Sequence, residues 1–321
     1  MSQLALTEDE LAMLRFTCDL FFVEESPLFF LEAEKRAPYN YEATYNQLKS
    51  KDVVDPSTFQ VTDAALNRIA PVTECDARVI HSHLTKMSKD ATDYYLLDEI
   101  IVKYKDQQTN HLMGADMDIE QFIQFLGRRL TPRSSGGDLL LVDLSPIEVV
   151  ALATLLNPLR DNPDASVEQN IHKLPPLTQD NPSLLPTSGP KNTLNALGVR
   201  TLPRQKPSQK IEDSQTNKKS WKKVFESLLA KSVLKRWNNE IKVSLAFKEF
   251  FFSLDNNEYH SFVRYDFGDD EWFIRESTLI PANGSLYWIG MDKKGLVTIK
   301  ELDGAHLKKT LLETVGPLNK N

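Results

Sequence analysis

Apolar residues in the first part of the chain recur at the three- and four-residue spacing of amphipathic helices. Leu11 and Leu14 follow Thr7 and Glu10, whose spacing is that of a helix-capping box. A helix is therefore predicted from about residue 8 onward. The same helical spacing returns between residues 41 and 51.

The segment from 41 to 69 has the order of elements of a winged-helix core. An amphipathic helix over 41–51 ends in Lys51, and the apolar pair Val53-Val54 follows it. A polar gap then leads to a second short helix at 63–69. Such a core is a scaffold for DNA binding and protein binding alike, so it predicts structure rather than function.

From residue 78 the apolar period falls to two, which indicates β-strands. Val79, His81 and His83 share one face of the first predicted strand, and 94–104 reads as one long or two short strands. Asp118 is placed to cap the helix that follows.

The second half of the chain repeats this order with clearer sheet signals. A helix, a turn and an apolar pair occupy 225–234, and a short helix follows at 243–247. Alternating residues over 260–302 predict an antiparallel meander, in which the Asn-Gly pair at 283–284 marks a hairpin. A closing helix is predicted at 305–315.

Both halves end in an apolar strand that runs into a helix, at 139–156 and at 296–315. We therefore predict an α+β fold of two similar units, each with winged-helix-like helices, an antiparallel sheet and a closing helix, related by a pseudo-twofold axis. The predicted boundaries are 1–156, a linker at 157–217 and 218–321. The linker is rich in Pro, Ser and Asn and contains no aromatic residue.

Charge and composition narrow the function classes. A net charge of −7 argues against a general nucleic-acid binder. The two cysteines, Cys18 and Cys75, suit a reducing compartment. The first ten residues show no signal-peptide pattern, and no apolar run approaches the roughly 18–20 residues of a membrane span. We predict a cytoplasmic protein without a transmembrane segment.

The basic residues are concentrated in one region. Residues 200–236 carry eleven Lys and Arg against three Asp and Glu, so the rest of the chain is strongly acidic. The segment 218–236 can make weak contact with an anionic surface. It also fits a solvated helix face that pairs with the acidic remainder.

Few residue patterns indicate chemistry. His81 and His83 have a spacing that can chelate a metal, but no third ligand stands near them in sequence, so we predict no metal site. The carboxylates of Asp266, Asp269, Asp270 and Glu271 suit a solvated hairpin tip better than acid–base catalysis. No phosphate-binding loop or nucleophile motif is present. We predict neither an enzyme nor a bound cofactor.

The leading functional prediction is a non-catalytic adaptor or secretion-chaperone-like module that binds a helical partner, such as a secreted or client protein. Docking would be helix-in-groove or sheet-edge. The predicted anchors are Phe251, Trp272 and Trp288, with Asp269 and Asp270 as an acidic rim. Two alternatives stay open: a winged-helix DNA-binding transcriptional regulator that uses the helices near 41–51 or 63–69, and an enzyme on an unfamiliar fold.

The order of elements resembles that of the EspG-type cytosolic chaperones of type VII (ESX) secretion. The resemblance covers 45–156 and 221–315, and it is carried by the helix that ends in Lys51-Asp52-Val53-Val54, the strand and helix at 139–156, and the hairpin and helix at 286–315. It implies two related α/β halves on a pseudo-twofold axis. It also implies recognition of the helical tip of a secreted Pro-Glu/Pro-Pro-Glu partner, which the protein would keep soluble.

Overall fold

The computed structural model describes most of the two predicted units and little between them. The described residues are 3–18, 20–30, 40–85, 87–107, 109–128, 130, 139–156, 159, 221–237, 240–255, 258–268, 272–282, 284–291 and 296–316. Apart from residue 159, the predicted linker at 157–217 lies outside them.

Ten strands form one sheet in the described part of the chain, and every strand pairs antiparallel with its neighbours. Their order is β1-β5-β4-β3-β2-β9-β10-β11-β12-β6. Strands β7 and β8 form a separate pair. The strands are β1 Leu4–Leu6, β2 Ala77–Leu84, β3 Lys89–Leu97, β4 Ile100–Asp106, β5 His111–Met117, β6 Leu141–Leu144, β7 Leu234–Trp237, β8 Glu240–Val243, β9 Tyr259–Phe267, β10 Trp272–Ala282, β11 Ser285–Met291 and β12 Val297–Leu302.

Eight helices are described, and polar residues cap the starts of several. Asp118, which the sequence indicated, accepts from the Gln121 backbone N–H in a full capping box. Thr62 accepts from the Ala65 N–H, and Asp303 accepts from the His306 N–H. The helices are α1 Glu8–Cys18, α2 Tyr41–Ser50, α3 Asp63–Thr73, α4 Ile119–Gly127, α5 Pro146–Leu156, α6 Trp221–Ala230, α7 Leu245–Ser253 and α8 Gly304–Val315. The α+β class is confirmed.

The helices cover the two faces of the sheet in different ways. Tyr94 and Leu279 belong to the apolar core under α4 and α8. Their chain neighbours Tyr95 and Ile280 belong to two other cores, one with α1–α3 and one with α5–α7. Because successive strand residues point to opposite faces, α4 and α8 lie on one face, and the other two helical groups lie on the opposite face.

The central contact of the sheet joins the two halves of the chain. Strands β2 and β9 pair antiparallel over eight residues, from Ala77 opposite Asp266 to Leu84 opposite Tyr259. The β2–β9 seam therefore makes one continuous sheet of the two predicted units.

Strand β6 and helix α5 contact the second half, although the predicted boundary at 156 groups them with the first. Val142 and Leu144 pair with Ile299 and Val297 of β12. Helix α5 shares its core with Val224 of α6. The apolar residues of 141–156 are thus buried by the elements that follow them in sequence. Helix α4, which contacts α8, is the last described helix before β6.

A buried glutamate stands at the start of a helix in each half. The Glu10 carboxylate accepts from the Thr7 backbone N–H, and the Glu10 N–H donates to the Thr7 hydroxyl. The same carboxylate binds the Lys51 ammonium through Oε1 at 2.6 Å and Oε2 at 2.7 Å. Glu148 of α5 accepts from Ser145 and binds the Lys231 ammonium at 2.9 and 2.7 Å. In each half a lysine after one helix holds the capping glutamate of an earlier helix.

Candidate functional site

One predicted binding anchor belongs to the core. Phe251 is 1% exposed and packs in the core of α5–α7. Phe247 and Phe250 of the same helix are also buried, while Phe252 is half-buried. Helix α7 thus buries Phe251 in this core, and the role of this residue as a partner anchor stays a prediction.

The roles of the other predicted site residues, Trp272, Trp288, Asp269 and Asp270, stay predictions. Trp272 begins β10, opposite Phe267, and its side chain lies outside the described residues, as do Asp269 and Asp270. Trp288 is half-buried beside the core under α8, with the Lys300 ammonium 4.9 Å from its ring centroid. The structure thus places only Trp288 of this set at a described surface.

Asp266 of the predicted acidic cluster is part of an arginine network. It accepts from Arg264 Nε at 2.7 Å and from Arg275 at 3.1 Å. The two arginines also donate to backbone carbonyls at the end of α8, those of Val315 and Gly316. This carboxylate therefore fixes the end of α8 against β9 and β10.

The basic segment is divided between exposed and bound cations. Residues 218–220 lie outside the described part. Lys222 and Lys223 of α6 are exposed, as are Lys235 and Arg236 of β7, whereas Lys231 is bound to Glu148. The four exposed residues thus fit a solvated face, whereas Lys231 neutralises the buried carboxylate of Glu148.

A groove of about 350 Å³ runs between α4 and α8. Its floor is apolar and buried, with Ile123, Leu307 and Leu311 at 3%, 7% and 1% exposure. Its remaining lining residues are Gln124, Gly127, Arg128, Gly304 and Lys308.

The space beside two lining glycines is open. A methyl group added at Gly127 or at Gly304 would meet no atom within 4 Å. Across the helices, the Lys308 ammonium lies 3.3 Å from the Glu120 carboxylate, an exposed pair of little net strength. An apolar floor with a basic rim suits an apolar side chain that has a carboxylate beside it.

A cluster of imidazoles and one carboxylate lies at one end of the β2–β9 seam. His83 Nε2 is 3.1 Å from Glu258 Oε1, and His260 Nε2 is 3.3 Å from the same oxygen. His81 Nε2 is 3.1 Å from His260 Nδ1. The rings of His83 and His260 stack at 4.6 Å. The third potential ligand that sequence proximity did not provide is therefore supplied by β9.

Glu258 and His260 were missed because they lie about 175 residues from His83 in sequence. A signal was present, since Glu258-Tyr259-His260 has the same alternate spacing as His81-Ser82-His83. Only the pairing of β2 with β9 shows that the two motifs meet.

Burial is the largest cause of the pKa shift of three further groups. It raises the pKa of the Cys75 thiol to about 12 and that of the Tyr287 phenol to about 12. It lowers the pKa of His111, whose Nδ1 lies 2.8 Å from the Tyr104 hydroxyl. None of these three groups lines the groove.

No helix in the described part of the chain is long and apolar enough to cross a membrane. No family model matches the sequence, and no curated protein matches it. Among solved structures, the chain is similar to the Mycobacterium tuberculosis type VII secretion system chaperone EspG5, determined in complex with a PE25–PPE41 dimer. The match covers 98% of this chain and 95% of that one, at a TM-score of 0.47 and 9% identity. It is a similarity of structure alone.

Proposed function

We propose that this chain is a non-catalytic protein-binding module that takes an amphipathic helix of its partner into the groove between α4 and α8. The observation that carries the proposal is the composition of the groove, a buried apolar floor whose lining includes two glycines with open space beside them. Helix-in-groove recognition needs this kind of surface, in which one apolar stripe of the partner helix meets the floor.

The charges at the rim indicate the chemistry of the partner. Arg128 and Lys308 line the groove on α4 and α8 respectively. A partner helix with acidic residues beside its apolar stripe would complement them, and complementary rims contribute mainly to specificity and association rate. The polar side chains of the lining are one amide and two cations. This set supports binding rather than acid–base or nucleophilic chemistry.

We also infer that the two halves are related by a pseudo-twofold axis through the β2–β9 seam. Two observations support this inference. Five strands, β1 to β5, lie on one side of the seam, and five strands, β6 and β9 to β12, lie on the other. The Glu10–Lys51 pair on the first side also corresponds to the Glu148–Lys231 pair on the second. In this arrangement the units span 3–128 and 139–316, with β6 and α5 as counterparts of β1 and α1. The groove would then lie between equivalent helices, one from each unit.

The test combines capture with contact mapping. The full chain, carrying a photoreactive residue in place of exposed Gln124, is incubated with nuclease-treated extract of the native host and irradiated. We expect one helical protein to cross-link through position 124. We also expect Gly127→Phe, which fills the open space beside this glycine, and Lys308→Glu, which reverses a rim charge, to abolish its capture.

The matched control is Lys309→Glu, which makes the same charge change on the neighbouring exposed residue of α8. It should retain the partner. A partner that all these variants capture equally binds elsewhere and contradicts the groove. Material that is lost after nuclease treatment would favour the DNA-binding alternative instead.

A further inference from the structure

We propose that His83, Glu258 and His260 form a site for a divalent transition-metal ion of the zinc type, located on the β2–β9 seam. The proposal does not rest on the proposed protein-binding function. It uses the only group of three or more His, Cys, Asp or Glu residues in the described part of the chain whose ligand atoms lie close enough to hold one ion.

The distances fit a small coordination sphere. The three ligand atoms lie within 4.8 Å of one another, and Glu258 Oε1 lies 3.1 Å from His83 Nε2 and 3.3 Å from His260 Nε2. Zinc bonds of about 2.0–2.2 Å in tetrahedral geometry place ligand atoms roughly 3.4 Å apart. A small adjustment of the His83 ring, which is about one-third exposed, would complete the triangle.

His81 gives the site the support that metal-binding histidines usually have. His260 faces the carboxylate with Nε2 and faces His81 with Nδ1, at 3.1 Å. A ligating imidazole normally donates its second N–H to an acceptor, which fixes its tautomer and ring orientation. His81 is 7% exposed, stacks on Phe262 at 4.6 Å, and is therefore held in place to accept that bond.

The ligand set indicates the class of metal. Two imidazoles and one carboxylate are borderline donors that suit Zn²⁺ and its first-row neighbours better than Ca²⁺ or Mg²⁺. Side chains of His83 and Glu258 are 32% and 49% exposed, so solvent has access. A fourth position would be open to water or to Asp90, which lies opposite His83 on β3.

The metal would join the two halves of the chain. His83 belongs to β2 in the first half. In the second half, His260 belongs to β9, and Glu258 directly precedes that strand. An ion bound by the folded sheet alone would stabilise the seam in proportion to its occupancy. Without a metal, the exposed His83–Glu258 pair of this cluster would contribute little to stability.

The experiment uses the full chain after chelator treatment and dialysis. Co²⁺ is titrated with visible absorption as the readout, Zn²⁺ is titrated by calorimetry, and thermal unfolding is followed with and without Zn²⁺. We expect one equivalent of each ion, an absorption band of tetrahedral or five-coordinate Co²⁺, and a higher unfolding temperature with Zn²⁺.

Variants distinguish metal binding at this site from nonspecific metal binding by other histidines. His83→Ala and Glu258→Gln alter exposed side chains, should fold normally, and should each weaken Zn²⁺ binding at least about tenfold. His81→Phe should weaken it about 10–100-fold through the lost acceptor. His306→Ala, an exposed histidine that pairs with Asp303, is the matched control and should bind normally.

Two results would overturn the proposal. One is the absence of Zn²⁺ and Co²⁺ binding by the intact chain. The other is equal affinity in the wild type, His83→Ala and Glu258→Gln, which would assign binding to another part of the chain. A circular dichroism spectrum of each variant separates a lost site from a lost fold.

Discussion

Lys231 holds both carboxylate oxygens of Glu148, at 2.9 and 2.7 Å, across the junction between α6 and α5. The carboxylate is 3% exposed, whereas the lysine side chain is 31% exposed. Two serine hydroxyls, from Ser145 and Ser227, complete its hydrogen bonds. The interaction therefore links the start of α5 to α6 and to the residue that follows α6 through one buried charge.

Replacement of Lys231 by Met should lower the free energy of unfolding by about 2–3 kcal/mol. This is less than the roughly 3–5 kcal/mol for breaking a fully buried ion pair, because the lysine is partly exposed and the serines still donate to Glu148. Urea denaturation measures the loss. Lys222→Met, on the exposed face of α6, is the control and should change stability by less than about 0.5 kcal/mol.

The corresponding change in the first half, Lys51→Met, should have a similar effect. Glu10 is fully buried, and Lys51 is 33% exposed, which closely matches the second pair. Comparable losses from the two variants in urea denaturation would support the equivalence of the halves. A loss in only one half would indicate that the two pairs are unrelated in role.

Stability should fall in acid in a way that depends on Glu148. Burial raises its pKa, but the hydrogen bonds from Lys231, Ser227 and Ser145 outweigh burial and hold the pKa below its ordinary value of 4.5. The contribution of this carboxylate to the free energy of unfolding is therefore complete above about pH 4.5, and it is lost as the pH falls through the lower pKa of the folded state.

The measurement for Glu148 is the free energy of unfolding from about pH 3 to pH 6 for the wild type and for Glu148→Gln. The variant should be less stable at pH 6 and should lose less stability on acidification. Parallel curves for the two proteins would show that other carboxylates govern the acid response.

Phe251→Ala should act on stability rather than on partner binding alone. A fully buried phenylalanine truncated to alanine costs about 3–5 kcal/mol. Phe252→Ala, one residue along the same helix and half-buried, should cost roughly half as much. Thermal and urea unfolding check both values, and a wild-type stability for Phe251→Ala would support its role as a surface anchor.

The thiol of Cys75 should resist modification in the folded protein. It is 4% exposed, and burial raises its pKa to about 12, so almost no thiolate is present at pH 8. In a Cys18→Ser background, a thiol reagent should react slowly with the native chain and rapidly in urea. Fast reaction of the native protein would mean that the region around α3 opens readily.

Local signals in the sequence predicted individual elements well. Asp118 and Asp303 mark real helix starts, and Gly284 takes the positive φ of 93° that the Asn-Gly hairpin signal indicates. The ambiguous stretch 94–104 is a hairpin, turned at Asp98 with φ 52°. Each of these features depends on residues a few positions apart.

Relations between distant segments were not visible in the same way. The pattern of 141–156 specifies a strand and a helix but not their neighbours, and pairing with β12 is decided by which apolar surface remains uncovered. The helical spacing around Phe251 could not distinguish a core face from a binding face, since both are apolar. The metal-ligand cluster needed the register of β2 against β9, which no short motif encodes.

The two described edge strands of the sheet, β1 and β6, have only three and four residues. A long unpaired edge would be a template on which other chains could add strands and aggregate. Here an incoming strand would find too few backbone groups to form a stable ladder. In the described sheet, short edge strands of this kind therefore limit the addition of strands from other chains.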